Sequence, residues 1–427
     1  MTIQDLHILF LKCNSISIDT RNIKKKSLFI ALRGERFDAN TFTKEALNNG
    51  AEYVVIDNKE YYIDERTILV DNSLIALQEL AKFHRKFLNI PIIALTGSNG
   101  KTTTKELINV VLSKKFNAKA TVGNLNNHIG VPLTLLSFDT STQIGIVEMG
   151  ANHQKEIEFL CTIALPDFGY ITNFGKAHLE GFGGVEGVIK GKSEMYDYLE
   201  NNNKTAFVNL DDSIQKEKTK DINCISFSNS DTSATLLITN SIANPFVSVA
   251  YKDIEIHSHL IGLYNATNIN AAILIGNYFG VSDMQIKEAI ENYLPTNNRS
   301  QLIHKNSNEI ILDAYNANPS SMKLALENFI QLEKSNKIIV LGDMFELGVE
   351  SQKEHKYIVD LLKNKTNIIV FFVGNYFYES KINIENFHFF SNYDDFSQFF
   401  KTITIKNSLL LIKGSRGMAL ERTLELL

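Results

Sequence analysis

Apolar residues recur along this chain in two patterns. Short unbroken runs, such as Ile92-Ile93-Ala94-Leu95 and those at 144–149, 168–172 and 205–210, are the signature of strands buried on both faces. Between them lie stretches with helical spacing: over 73–87, Leu74, Leu77, Leu80, Ala81 and His84 return to one face every three or four residues. Residues 28–32, 53–56 and 67–70 add three short strands before that helix. Asn89-Ile90-Pro91 then ends it, because proline disfavours helical backbone in the residue before it. From 92 onward strand and helix alternate, which predicts a parallel sheet. Over 234–260 the pattern changes: Leu236-Leu237-Ile238, Val247-Ser248-Val249 and Ile254-Glu255-Ile256 read as antiparallel strands, and 265–279 reads as a helix. Buried runs at 310–312, 338–341, 368–373 and 409–412 form a second strand-and-helix series, expected to be a separate small parallel-sheet domain.

These breaks divide the 427 residues into three expected domains, 1–88, 89–298 and 299–427, with the second joint near Pro295 to Arg299. Length alone suggests two or three, at ~150 residues per domain. The 43 basic and 48 acidic residues leave a net charge of −5 and no basic stripe, so a nucleic-acid partner is not expected. No stretch approaches the ~18 uninterrupted apolar residues of a membrane span. Met1-Thr2-Ile3-Gln4-Asp5 has no basic region before its short apolar run, so no secretory signal is expected. The three cysteines, Cys13, Cys161 and Cys224, show neither zinc spacing nor a disulfide framework and are expected as small buried hydrophobes. The 27 phenylalanines are expected in the core. These features describe a soluble, cytoplasmic chain, expected to act as a monomer.

Candidate chemistry concentrates between 95 and 195. In Leu95-Thr96-Gly97-Ser98-Asn99-Gly100-Lys101-Thr102-Thr103 a strand feeds a glycine-bearing loop that opens a helix. Glycines let backbone N–H groups close on phosphate oxygens, the helix N-terminus and Lys101 add positive charge, and a following hydroxyl can hold Mg2+. The generic phosphate loop wants glycine six positions before the lysine, where this chain has Leu95; the motif here is the shorter Gly-x-x-Gly-Lys-Thr. A plain glycine turn before a helix is the competing reading. Glu148, at the C-terminal end of a buried strand, stands where open α/β sheets place ligand chemistry and is a candidate Mg2+ ligand; helix capping or ion pairing would also explain it. Gly123-Asn124-Leu125-Asn126-Asn127-His128-Ile129-Gly130-Val131-Pro132 reads equally as a polar turn, and His178, in Gly175-Lys176-Ala177-His178-Leu179-Glu180-Gly181, equally as structural. Lys190-Gly191-Lys192-Ser193-Glu194-Met195 by itself reads as a solvated, charged helix start.

In this order, these segments resemble the Mur ligases, ATP-dependent amide-bond ligases of peptidoglycan precursor synthesis. Asp313-Ala314-Tyr315-Asn316-Ala317-Asn318-Pro319-Ser320, Leu341-Gly342-Asp343-Met344-Phe345-Glu346-Leu347-Gly348 with His355, and Lys413-Gly414-Ser415-Arg416-Gly417-Met418 extend the resemblance through the last domain. Ser17-Ile18-Asp19-Thr20-Arg21 and the stretch from Phe29 to Asp38 extend it to the first, so it covers essentially the whole chain. It is nearest to the members that join D-alanyl-D-alanine to a UDP-N-acetylmuramoyl-tripeptide. The fold so implied is α/β in three domains: a small UDP-substrate domain, a central phosphate-loop domain and a C-terminal Rossmann-like domain.

The resemblance implies roles residue by residue. Gly97, Ser98, Asn99, Gly100, Lys101, Thr102 and Thr103 would bind the ATP phosphates. Two Mg2+ ions are implied, with Thr102 and Glu148 holding the first and His178 and Lys192 the second. Lys192 would do so as a carbamate, turning a repelling ammonium into an anionic ligand. The catalytic set would be Lys101, Glu148, His178 and Lys192. Asn265 and Asn268 would lie near adenine, and Arg299 would reach the phosphates, although Asn298 precedes it where members usually have glycine. Asp313, Tyr315, Asn316 and Asn318 would close over the nucleotide. Thr20, Arg21, Gly34, Phe37 and Asp38 would bind the UDP-sugar end, Asn126, Asn127 and His128 would meet substrate in the cleft, and Lys413, Ser415 and Arg416 would meet substrate carboxylates. The same fold with a single amino acid as acceptor substrate, a nucleotide-binding regulator without ligase activity, and a phosphate-loop kinase are the alternatives. The last leaves the third domain without a role.

Overall fold

A computed structural model of the chain describes residues 1–296 and 298–427. It shows three α/β domains, each around its own sheet. The first sheet is parallel, in the order Ser15–Ser17, Ser27–Ile30, Ala51–Ile56, Thr67–Leu69. A two-stranded hairpin, Arg33–Gly34 with Phe37–Asp38, projects from it. The helix Ser73–Leu88 follows, and Asn89 in the left-handed region ends it.

The central sheet has nine strands. Its parallel part runs Asn223–Ser228, Thr205–Asn209, Phe168–Ile171, Ile92–Thr96, Ile144–Glu148, Ala118–Ala120, and the strands Leu236–Ala243, Phe246–Tyr251 and Ile254–Ile261 extend the first edge. The pairs among those last three are antiparallel, as their alternation predicts. After Ile92–Thr96 the chain lays Ala118–Ala120 and Ile144–Glu148 on one side and then crosses to Phe168–Ile171 on the other. That reversal opens a crevice beyond the C-terminal ends of these strands, where α/β sheets bind ligands.

The C-terminal sheet runs Gln301–Lys305, Asn308–Asp313, Leu409–Lys413, Lys337–Gly342, Ile368–Val373, Phe387–Phe390. It is not wholly parallel, contrary to expectation: Gln301–Lys305 pairs antiparallel with Asn308–Asp313 as an edge strand. Its residues are only half-buried, so no unbroken apolar run marks it. The joint expected at Pro295 to Arg299 includes Asn297, which lies outside the described residues. Other expectations are corrected by burial. Cys161 is buried, but Cys13 is partly exposed and Cys224 exposed. Phe37, Phe87, Phe159, Phe345 and Phe399 are surface residues rather than core. Among the described residues no helix is long and apolar enough to cross a membrane.

The first domain is fastened to the second by polar side chains of the helix Ser73–Leu88. Arg85 donates to the carbonyls of Ala164 and Leu165 and to Asp167, at 3.1, 3.1 and 2.7 Å. Gln78 donates to the carbonyl of His128 at 3.0 Å. His84 Nε2 lies 2.9 Å from the Phe138 carbonyl oxygen, so that nitrogen carries the proton; its Nδ1 then accepts from His7 Nε2 at 3.0 Å. Burial, and next the neighbouring His84, push His7 down to about 4 from 6.5. Burial lowers His84 as well.

The histidine pair predicts a pH dependence of stability. Both rings are held neutral in the fold, whereas in the unfolded chain they titrate near 6.5. Between about 6.5 and about 4 the unfolded state binds more protons, so stability conferred above that window is lost as pH falls through it. Urea unfolding from pH 7 to pH 4 should show this fall, and His7→Leu should flatten it. An unchanged slope in His7→Leu would remove the pair from the account.

Candidate functional site

Strand ends of the central sheet supply the site. The strand Ile92–Thr96 runs into residues 97–100 and the helix Lys101–Leu112. Two glycines are needed there for different reasons. Gly97 has φ of +136°, and a Cβ on it would lie 2.0 Å from Thr172 Oγ1. Gly100, with φ of +79°, begins the helix against Asn268, whose Oδ1 would be 2.7 Å from an added Cβ. Ser98 and Asn99 are gripped by the loop after the strand Phe168–Ile171. The Ser98 N–H donates to the Asn173 carbonyl, the Asn99 N–H donates to Asn173 Oδ1, and Thr172 Oγ1 donates to the Asn99 carbonyl.

Glu148 ends its strand 1% exposed. Thr102 Oγ1 donates to its Oε2 at 2.9 Å and Asn126 Nδ2 to its Oε1 at 2.8 Å. Its backbone N–H donates to Thr121 Oγ1 at 2.9 Å. Lys101 folds back on its loop, donating to the carbonyls of Gly97 and Ser98 at 2.6 and 3.3 Å. Burial pushes its amine below the usual value, Glu148 opposes this and Arg299 reinforces it.

Lys192 overturns the reading of its segment as solvated. The helix begins at Val185, earlier than expected, and Lys192 is 1% exposed within it. Its amine donates to the Ala151 carbonyl at 3.2 Å and lies 5.0 Å from the Phe182 ring centroid. Burial, and next the charge of Lys101, push it well below the usual lysine range. His178 sits at φ of +52°, with Nδ1 2.5 Å from Glu346 Oε2 of the third domain.

A cleft of about 960 Å³, walled by all three domains, brings Lys101, Thr102, Glu148 and His178 together, while Lys192 is buried outside its lining. Ser98, Asn99, Gly100, Lys101, Thr102 and Thr103 form its floor beside Glu148 and His178. Asn126, Asn127 and His128 edge it, although Asn127 Oδ1 also caps the next helix by accepting from the N–H groups of Ile129 and Gly130. Asn265 and Asn268 are buried behind the loop, Asn268 donating to Asn265 and accepting from Thr104. Arg299 stacks 3.7 Å over the Tyr315 ring, and both face the cleft with Asp313, Asn316 and Asn318. Asn318 Nδ2 donates to Asn99 Oδ1 at 2.7 Å, which brings the third domain onto the phosphate loop.

The remaining candidates are placed differently. Thr20, Arg21, Gly34, Phe37 and Asp38 stand on the first domain and do not line the cleft; Arg21 pairs with Asp19, and Phe37 stacks on Phe42. Lys413 lines the cleft, but its amine is 2.5 Å from Asp313 Oδ2. Ser415 is buried, its hydroxyl accepting from the Phe345 N–H. Arg416 is exposed, paired with Glu421, and shares a side pocket of about 320 Å³ with Arg299 and Tyr315. Sequence reading missed Leu74, Gln78, Gln154, Lys155, Phe159 and Leu324, which also line the cleft. Phe159 and Leu324 are large apolar residues left exposed within helices.

Comparison with known proteins agrees with this geometry. Three family profiles match: "Mur ligase family, catalytic domain" over residues 12–85, "Mur ligase middle domain" over 95–276 and "Mur ligase, glutamate ligase domain" over 298–416. The chain is 33% identical over 418 residues to the UDP-N-acetylmuramoyl-tripeptide–D-alanyl-D-alanine ligase of Bacillus subtilis (strain 168), covering 96% of this chain and 92% of that one. Among solved structures it is similar to MurF from Acinetobacter baumannii, with a TM-score of 0.87, 29% identity and coverage of 99% and 97%. It is also similar to the MurF ligase of Thermotoga maritima in complex with ADP, with a TM-score of 0.84, 26% identity and coverage of 98% and 97%.

Proposed function

Because this chain belongs to the Mur ligase family, we propose that its cleft joins D-alanyl-D-alanine to UDP-N-acetylmuramoyl-tripeptide at the expense of ATP, in peptidoglycan synthesis. The observation that carries the reading is the buried Thr102–Glu148 contact beside the phosphate loop, in a cleft that three domains wall.

In the first step the terminal phosphoryl of ATP moves to the free carboxylate of the tripeptide, giving an acyl phosphate and ADP. Backbone N–H groups of residues 97–103 and the N-terminus of the helix Lys101–Leu112 hold the phosphates. Lys101 would exchange its bonds to the Gly97 and Ser98 carbonyls for phosphate oxygens. In the second step the dipeptide amine attacks the acyl carbon. A C–N bond forms, the C–O bond to phosphate breaks, the amine loses a proton and phosphate leaves. Both steps place negative charge on oxygen, which the loop and Lys101 stabilise. Closure of the third domain over the loop, through Asn318 and Asn99, excludes the water that would hydrolyse the acyl phosphate.

A hydroxyl and a buried carboxylate in contact, beside a phosphate loop, fit Mg2+, which takes oxygen ligands from one or two side chains and from phosphates. Thr102 and Glu148 would hold it, and bound there it neutralises charge on the phosphoryl oxygens. For a second ion, His178 and Lys192 are the candidates. A buried lysine whose amine is driven toward the neutral form suits addition of carbon dioxide, giving a carbamate and a proton. Arg299, Asp313, Tyr315 and Asn316 would meet the nucleotide. Asn126 and His128 would meet the peptide, and the first domain around Thr20, Gly34 and Phe37 the UDP end. Arg416 has the exposed cationic group best suited to the dipeptide carboxylate. All the residues assigned above come from one chain, which favours a monomer, and ATP and UDP-linked substrates favour the cytoplasm.

Phosphate release from ATP and Mg2+ should require both the UDP-tripeptide and D-alanyl-D-alanine, with a product heavier by the dipeptide minus water. Acceptance of a single amino acid in place of the dipeptide would overturn the substrate assignment. Lys192→Ala should lose activity by about 100-fold or more, and millimolar acetate or formate should restore part of it by supplying the missing carboxylate. Full activity of Lys192→Ala without the acid would contradict the carbamate.

A further inference from the structure

The loop that follows the strand Phe168–Ile171 touches both the phosphate loop and the third domain. On one side it fixes the phosphate loop: the Ser98 N–H donates to the Asn173 carbonyl at 3.0 Å, Ser98 Oγ to the Gly175 carbonyl at 2.6 Å, and Asn173 Nδ2 to the Asn99 carbonyl at 3.0 Å. On the other side the Lys176 N–H donates to Ser320 Oγ at 2.8 Å, and its amine donates to Glu354 Oε1 at 2.6 Å. Gly175 makes the double contact possible: a Cβ there would lie 2.8 Å from Asn99 Nδ2 and 3.1 Å from Ser320 Oγ.

Glu354 lies on the helix Ser351–Leu362 of the third domain with its side chain 5% exposed. Among the described residues, Lys176 is the only side chain within hydrogen-bonding distance of its carboxylate, and Lys176 belongs to the central domain. A buried carboxylate without a partner is strongly unfavourable, whereas one returned to water is not. The Glu354 carboxylate therefore has two acceptable states, paired across the interface or hydrated with the domains apart. A closed arrangement with the charged Glu354 unpaired is strongly disfavoured. Lys176, itself about half exposed, is free to follow either state.

Resting on the ligase reading above, we infer that Lys176 and Glu354 form an interdomain latch. They act as positioning residues that tie closure of the third domain to the geometry of the phosphate loop. Neither touches the reacting atoms. The pair works through residues 173–175, which hold Ser98 and Asn99.

The test compares the unaltered protein with Glu354→Gln, Lys176→Met and the doubly exchanged Lys176→Glu/Glu354→Lys. Steady-state ligation is measured along with small-angle scattering in ADP and Mg2+. Each single variant should lower kcat by about tenfold, within the usual range for coupling between sites. KM for ATP should change less, and the radius of gyration with ADP should be larger. The exchanged pair should recover a substantial part of both losses. Single variants with the kcat and radius of the unaltered protein would overturn the latch. So would an exchanged pair as impaired as the singles with a matching drop in Tm, since that marks a merely structural contact. If the unaltered protein shows no ligation, the functional reading fails, while the scattering comparison still decides the latch.

Discussion

One buried carboxylate organises the cleft. Glu148 is taken almost wholly out of water, which is tolerable only when its oxygens are hydrogen-bonded. Its partners come from separate segments: Thr102 from the helix after the phosphate loop, Asn126 from the loop over 122–129, and Thr121, beyond the edge strand Ala118–Ala120, which accepts from its backbone N–H. Satisfying this one group therefore fixes the relative positions of all three. Gly150 leaves the room required, since a Cβ there would stand 3.0 Å from the Asn126 amide group.

Three lysine amines stand in this region, Lys105 and Lys192 buried and Lys101 partly so. Lys101 and Lys192 donate to backbone carbonyls, and Lys105 donates to the Thr121 carbonyl at 2.7 Å. Burial is the largest influence on each and lowers each. Lys101, at the N-terminal end of a helix, and Lys105 one turn further on make a floor suited to polyphosphate. The same crowding of positive charge that disfavours each ammonium favours a polyphosphate beside it.

Much of this was legible in the sequence, for physical reasons. Strands buried on both faces must be apolar throughout, so Ile92–Thr96, Ile144–Glu148 and Ile368–Val373 announced themselves. The glycine-lysine-threonine loop was legible because its backbone geometry admits few alternatives. Gln301–Lys305 escaped because an edge strand buries only part of each residue, and its sequence carries no continuous apolar run. Lys192 was misread from local sequence because charged residues are normally solvated; only its family position argued otherwise. Leu74 and Gln78 reach the cleft through docking of one domain on another, and Lys176 meets Glu354 across 178 positions. Such pairings depend on how domains pack, which no local pattern encodes. The candidates on the first domain, Arg21 and Phe37 among them, stand apart from the cleft for the same reason.

The most direct test of the account is a crystal structure of the protein with ADP and Mn2+ in place of Mg2+, with the metal located by its anomalous scattering. The account predicts an ion bound by Thr102 Oγ1, a Glu148 carboxylate oxygen and a phosphate oxygen, with the direct Thr102–Glu148 hydrogen bond replaced. A metal bound elsewhere, with that hydrogen bond intact and the nucleotide away from residues 97–103, would contradict it.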